Sequence, residues 1–198
     1  MFNVIVADVN ETPLPGEVPD KYVMRLAESK ARAVIDLARP NSIIVAADTA
    51  VVDGDTILGK PSSMAEAISI LKQLRARVHQ VHTGIAVLPV DEGELMVDVC
   101  ITDVPMRNYS DEEIETYVFS GDPLDKAGAY AIQHAGFKPV EHLHGCFASV
   151  MGLPLCHLVR MLAKLSIYPS ANVPVACQAK LQYQCPVYRA ILRGERVG

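Results

Sequence analysis

Asp48 ends the apolar run Ile43-Ile44-Val45-Ala46-Ala47, and Lys60 follows in Leu58-Gly59-Lys60-Pro61. A run of small and branched apolar residues predicts a strand buried on both faces. A carboxylate just past the end of such a strand sits where open α/β sheets bind their ligands. The Gly-Lys-Pro segment reads as a tight turn. Glu11 follows a first predicted strand and Lys30 lies on a predicted helix, so two carboxylates and two ammonium groups are candidates to converge, with Lys126 joining them. Such a set suits hydrolysis of a phosphoanhydride. Magnesium favours one or two carboxylates plus phosphate oxygens, lysines neutralise phosphate charge, and a base or bound metal activates water.

Each of these charges has a plainer reading alone. Lys30 falls on the apolar stripe of its helix, where a snorkelling side chain would also fit. The other reactive residue types point to less. His79 and His82 are three apart in a predicted strand and face opposite sides, so they do not share a metal easily. His142 and His144 share a face, which also suits a solvated strand. Ser149 has no evident His and Asp around it. No Walker motif and no GxGxxG is present. The five cysteines include no CxxC pair, and their odd number in a chain without a secretory signal fits reduced, buried thiols.

The elements that must position these groups read as follows. Phe2–Val9, with Phe2–Ala7 as its core, is a predicted strand, and Asp20 is a predicted cap for a helix running to about Ala38, with Val23, Leu26, Ala27, Ala31, Val34 and Ala38 on its stripe. Val51-Val52 and Thr56-Ile57-Leu58 flank Asp53-Gly54-Asp55 as a hairpin. Ser63 and Ser110, each followed three residues on by Glu, predict capping boxes and helices to about Arg75 and Phe119. Val78–Val90 and Glu94–Arg107 are long predicted strands. Tyr130–Ile132, Val140–Leu143 and Phe147–Val150 are shorter ones, and Leu153–Leu165 is a helix. From Ser166 the pattern breaks at Pro169, Pro174 and Pro186, and the charge turns basic; a short helix is predicted over Tyr188–Arg193.

The chain has 198 residues, half of them hydrophobic, which suits one α/β domain plus a tail. Its net charge of −5 gives no general reason to bind nucleic acid. No apolar stretch has the length of a membrane span, and the start lacks an export signal, so a cytoplasmic location is expected.

In sequence order, Asp8-Val9-Asn10-Glu11-Thr12, Leu26-Ala27-Glu28-Ser29-Lys30-Ala31, Ala46-Ala47-Asp48-Thr49, Leu58-Gly59-Lys60-Pro61, His82-Thr83-Gly84, Ser120-Gly121-Asp122-Pro123, Asp125–Gln133 and Gly152-Leu153-Pro154 resemble the Maf family of nucleoside triphosphate pyrophosphatases. The resemblance covers residues 1–165 and leaves 166–198 as an extension of unassigned role. It implies an elongated α/β fold, with a curved mixed sheet, flanking helices and two lobes around a cleft. It implies a hydrolase acting on acid anhydrides, which cleaves a nucleoside triphosphate to the monophosphate and pyrophosphate with a divalent cation, magnesium or manganese. It also suggests a homodimer.

By position, the resemblance makes Asp48 the proton acceptor, Glu11 a metal or water ligand, and Lys30 and Lys60 phosphate-binding lysines; from the residues themselves Asp48 is also expected on the metal and Lys126 on the substrate. Thr49 and Gln133 match specificity positions of the dTTP/UTP branch. The family's opening strand and Ser-x-Ser-Pro-Arg-Arg loop do not precede Phe2, so either the sequence starts at a late methionine or it is a shortened member, for which an uncovered sheet edge is expected. That departure keeps a second reading in view, a nucleotide-binding or regulatory protein of the same fold without catalysis.

Overall fold

Ten consecutive residue pairs, from Ile43↔Pro89 to Val52↔Gln80, join β1 (Ile43–Asp53) to β3 (Val78–Pro89). This long ribbon is the frame of the protein. In the computed structural model, which describes residues 2–91, 93–195 and 197–198, β2 (Thr56–Leu58) and β4 (Met96–Pro105) complete a sheet of order β2-β1-β3-β4. The chain is α/β as expected. Every pairing in the sheet is antiparallel, however, where a mixed sheet is expected from the sequence. Consecutive strands here are joined by hairpin turns or run antiparallel across a helix, so no parallel crossover arises.

Helix α1 (Pro19–Ala33) covers one face of the sheet. Proline at its first position has no N–H to lose there, so Val18 rather than Asp20 is the N-cap. Its buried Val23 meets Ala50 and Val52 of β1, its Ala27 and Ala31 meet Ala86 and Leu88 of β3, and Leu26 is fully buried beside them. Burying each of the larger side chains contributes about 1.5–3 kcal/mol. The small partners let the helix lie close. At Gly84 a Cβ would collide with the Val23 backbone carbonyl, so only glycine fits under the helix.

The other face carries the larger core. α2 (Met64–Leu74) and α3 (Asp111–Phe119) pack with Val51, Val81, Tyr109, Tyr117 and Phe137. The Ser110 cap forms a complete capping box. At Ser63 only half of it forms, because the Glu66 carboxylate turns to Ser62 instead. α4 (Phe147–Val150) and α5 (Leu155–Lys164) cover the remainder of that face, with Met161 against Ile85 and Val87. The tail folds back: α6 (Val173–Leu181) and α7 (Tyr188–Leu192) pack on α5, Ile191 is fully buried, and Arg160 donates a 3.0 Å hydrogen bond to the Ile191 carbonyl.

Several predicted strands take other forms. Phe2–Ala7 has no ladder partner among the described residues, and Phe2, Val4 and Val6 are exposed. A β-prone segment becomes a strand only when a neighbour takes its hydrogen bonds. Tyr130–Ile132 is irregular, Val140 makes a single bridge to Met106, and Phe147–Val150 is one helical turn. No helix among the described residues is long and apolar enough to cross a membrane.

Candidate active site

Asp48 lies in the middle of β1, paired with Gly84, not beyond the strand end. β1 runs five residues past the acid to Asp53, held through Val52 by β3 and at Asp53 by β2. Gly84 leaves room for α1 directly over this pair, and Lys30, two turns on from Val23, reaches across. Its ammonium donates to Asp48 Oδ1 at 2.6 Å and contacts Glu11 Oε1 at 2.7 Å. Three of the predicted site residues are therefore in direct contact.

Glu11 belongs to an irregular segment, and α1 holds it in place. Tyr22 Oη donates to the Glu11 carbonyl at 2.9 Å. Arg25 donates to the Thr12 carbonyl and forms a bidentate pair with Glu17. Tyr22 and Arg25 have positioning roles that sequence reading missed. No spacing in the sequence signals them, because their partners are backbone carbonyls of the preceding segment and the Glu17 carboxylate.

The Asp48 side chain is only 10% exposed. Burial pushes its pKa above the usual carboxylate value, and the Lys30 pairing offsets this only in part. Lys30 itself loses from burial but gains more from its hydrogen bonds to Asp48 and Glu11, so its pKa ends above the ordinary lysine value. Hydrogen bonding from Lys30 lowers Glu11, whose side chain is half exposed. Lys60 is in no ion pair among the described residues, yet its charge is near enough to favour ionisation of both Glu11 and Asp48. The two predicted acids and two predicted lysines thus share one locality.

The remaining predicted residues meet on the other face of the sheet. Successive strand residues point to opposite sides, so Thr49 faces away from α1 into a cleft of about 260 Å³. Lys60, Lys126 and Gln133 line the same cleft, with Tyr130 and the Val150–Gly152 wall. Thr49 Oγ1 lies 3.0 Å from Thr83 Oγ1, which donates to the Ser149 carbonyl at 2.9 Å. Lys126 is steadied by the Asp122 carbonyl at 2.9 Å and the Asp125 carboxylate at 2.7 Å. Its loop is tied to the Lys60 turn where Gly128 N donates to the Gly59 carbonyl at 3.1 Å. Gly128 has φ +67°, and a Cβ there would stand 2.8 Å from the Val51 side chain, so the tie needs glycine. Gln133 is exposed at the cleft, and its amide has no protein partner among the described residues. Lys60, on the turn after β2, is the residue common to the cleft and to the Asp48 cluster.

The histidines stay outside the site. His79 is buried against Tyr130 at 2.8 Å on the cleft side of β3, and His82 faces the α1 side, as their spacing predicts. Among the described residues no three His, Cys, Asp or Glu side chains are gathered as a metal centre. The oxygen donors available are Asp48 and Glu11. Two carboxylates suit a hard cation such as magnesium, which completes its shell with water and phosphate oxygens.

Residues 1–165 match the family described as Maf-like protein. A dTTP/UTP pyrophosphatase of Geobacter sp. (strain M21) is 44% identical over 161 residues, covering 81% of this chain and 83% of the relative. One from Caldicellulosiruptor saccharolyticus is 42% identical over 167 residues, covering 83% and 84%. One from Pasteurella multocida is 38% identical over 174 residues, covering 84% and 86%. With the match running through every segment that builds the Lys30–Asp48 cluster and the cleft beside it, the chain belongs to the Maf family.

Proposed function

We propose that this protein is a nucleoside triphosphate pyrophosphatase that cleaves dTTP, UTP or related nucleotides to the monophosphate and pyrophosphate. The observation that carries the reading is the Lys30 ammonium held between Asp48 and Glu11, next to a cleft lined by Lys60 and Lys126. The names of the relatives supply the nucleotide class.

A polyphosphate needs its charge offset before a nucleophile can approach. Lys60 and Lys126 face the cleft, and Lys30 can trade a carboxylate contact for a phosphate oxygen. Preorganised positive charge of this kind is commonly the largest catalytic contribution. Asp48 takes the proton of the attacking water. Its burial raises its basicity, and its carboxylate is fixed by Lys30 on a rigid strand. Glu11 and Asp48 would hold a divalent cation, magnesium or manganese, which neutralises triphosphate charge and acidifies bound water when present.

Gln133 reads the base. Its unpaired amide can donate and accept at once, which matches the polar edge of uracil or thymine. Thr49, anchored through Thr83, forms the floor beneath it.

The test is pyrophosphate release from dTTP, UTP, CTP and 7-methyl-GTP with magnesium or manganese, on the parent chain and Asp48→Asn. Release from dTTP and UTP that is lost in Asp48→Asn is the expected result. Tight nucleotide binding with no release from any substrate would replace the enzyme reading with a nucleotide-binding one.

A further inference from the structure

Tyr117 lies on the buried face of α3 and is only 2% exposed. Its hydroxyl makes two hydrogen bonds, and each ends on a different part of the loop that walls the nucleotide cleft. It donates to Asp122 Oδ2 at 2.6 Å and accepts from Ala131 N at 3.0 Å. The other oxygen of the same carboxylate, Asp122 Oδ1, is 3.1 Å from Lys126 Nζ. Ala131 stands two residues before Gln133, and both line the cleft with Lys126. One hydroxyl therefore sits between the lysine at one end of the cleft wall and the glutamine at the other.

The ring adds a second hold on the same segment. Phe137 stacks on it with centroids 4.3 Å apart, and His134, next to Gln133, leans on it at 4.6 Å. His134 Nδ1 accepts from Phe137 N at 2.9 Å, which closes the turn between the two rings. Between Asp122 and Ala129 the chain forms only short 3-10 turns, so it has few hydrogen bonds of its own to stiffen it. α3, in contrast, is fixed by its capping box and by Ile114 and Val118 in the core. The regular element carries the anchor, and the irregular one is tied to it.

A phenol can give its one proton and accept in return, so both contacts use the group fully. Burial, with the hydrogen bond to Asp122, pushes the Tyr117 pKa up, which keeps the donor proton in place. Burial opposes ionisation of Asp122, but hydrogen bonds from Tyr117 and Lys126 hold its carboxyl below the usual value. Phenol and carboxylate are the forms that the observed donation requires.

We propose that Tyr117 is a positioning residue of the cleft, whose single hydroxyl sets both the phosphate-facing Lys126 and the base-facing Gln133 and so fixes the span between the two ends of the nucleotide. This consequence rests on the proposed nucleotide reading of the cleft; the tether itself does not. Asp48, Glu11 and Lys30 are held from the other face of the sheet by α1, so loosening the tether leaves them in place. The loss is then of binding shared by substrate and transition state, which raises KM and spares kcat.

Tyr117→Phe keeps the ring and its stacking and removes the hydroxyl alone. In the full chain, amide exchange read by mass spectrometry should quicken about tenfold over residues 122–133, the weight of one lost hydrogen bond, and keep the parent rate in β1 and β3. KM for dTTP and UTP should rise about tenfold with kcat within about twofold of the parent, and the preference over CTP should shrink. Asp122→Ala frees Lys126 but leaves Ala131 bonded to Tyr117, so its KM should rise alike for dTTP, UTP and CTP. Parent exchange over 122–133 in Tyr117→Phe, or a fall in kcat with KM unchanged, would overturn the proposal. Exchange quickened throughout the chain would overturn it too, by making Tyr117 a core residue and no more. No pyrophosphate release from the parent chain would instead overturn the nucleotide reading, with the exchange rates still deciding the tether.

Discussion

Asp48 and Gly84 sit opposite each other across β1 and β3, and α1 passes so close over them that no side chain fits on Gly84. This closeness is what lets Lys30 reach Asp48. The same glycine thus serves the packing of α1 and the Lys30–Asp48 contact. Gly84→Ala should lift α1 from the sheet, cost about 1–3 kcal/mol by overpacking, and lower turnover by separating Lys30 from Asp48. Urea unfolding and steady-state kinetics on one preparation check both effects. Parent stability with parent turnover would show that the helix has slack at this point.

Asp48→Asn keeps the shape and a hydrogen-bond acceptor for Lys30 but removes the proposed proton acceptor. Loss of a general base typically costs about 10²–10⁴-fold, so kcat should fall by about that factor while the circular dichroism spectrum and thermal midpoint stay near the parent's. Pyrophosphate release at the parent rate would remove Asp48 from the mechanism.

Lys30→Met leaves Asp48 and Glu11 as two carboxylates without their shared cation. Burial already raises the Asp48 pKa, and Lys30 is the main opposing influence. With Lys30 gone the Asp48 pKa rises further, so the acid limb of the pH–rate profile should move to higher pH. The parent and variant profiles of kcat decide this. An acid limb that stays in place would mean another group sets it.

The parts of the fold legible in the sequence were those fixed by local chemistry. The Asp53-Gly54-Asp55 hairpin, the Ser110 cap and α7 formed where turn residues and spacing placed them. α6 was missed although Asn172 and Pro174 are a readable start: the Asn172 side chain accepts from Val175 N, and proline fills the first turn. Phe147–Val150 could not be resolved from four residues, since so short an apolar run has no period. Phe2–Ala7 failed for a non-local reason, because no neighbour among the described residues supplies its ladder hydrogen bonds. In the site, the residue types announced the Glu11–Lys30–Asp48 contact, but the division of Asp48 and Thr49 between two faces depended on β1 continuing past the acid. Tyr22 and Arg25 were invisible because their work is done on the backbone of another segment.

Gln133 is exposed at the cleft, so its replacement should leave stability within about 0.5 kcal/mol of the parent. Gln133→Glu swaps an amide donor for a second acceptor and adds negative charge near the triphosphate. Turnover of dTTP and UTP should fall about tenfold, the worth of one mismatched hydrogen bond, and more than that of CTP. A substrate profile parallel to the parent's would assign base recognition elsewhere.

His157 is fully buried on α5, and neither ring nitrogen has a hydrogen-bond partner among the described residues. Burial pulls its pKa down to about 4, with Asp98 opposing and Arg160 adding to the shift. The unfolded chain takes up the proton near pH 6.5 and the folded chain only near 4. His157 therefore costs nothing above the unfolded value, and stability is lost as pH falls through that window. By linkage the loss is on the order of 3 kcal/mol. His79, also pulled down to about 4 by burial, acts in the same window. His157→Leu removes one of the two without breaking a hydrogen bond. Its stability at pH 7 should equal or exceed the parent's, and its decline between pH 6.5 and 4 should be shallower but still present. Urea midpoints across that range test this, and an unchanged slope would mean that His157 is already protonated in the fold or hydrated within it.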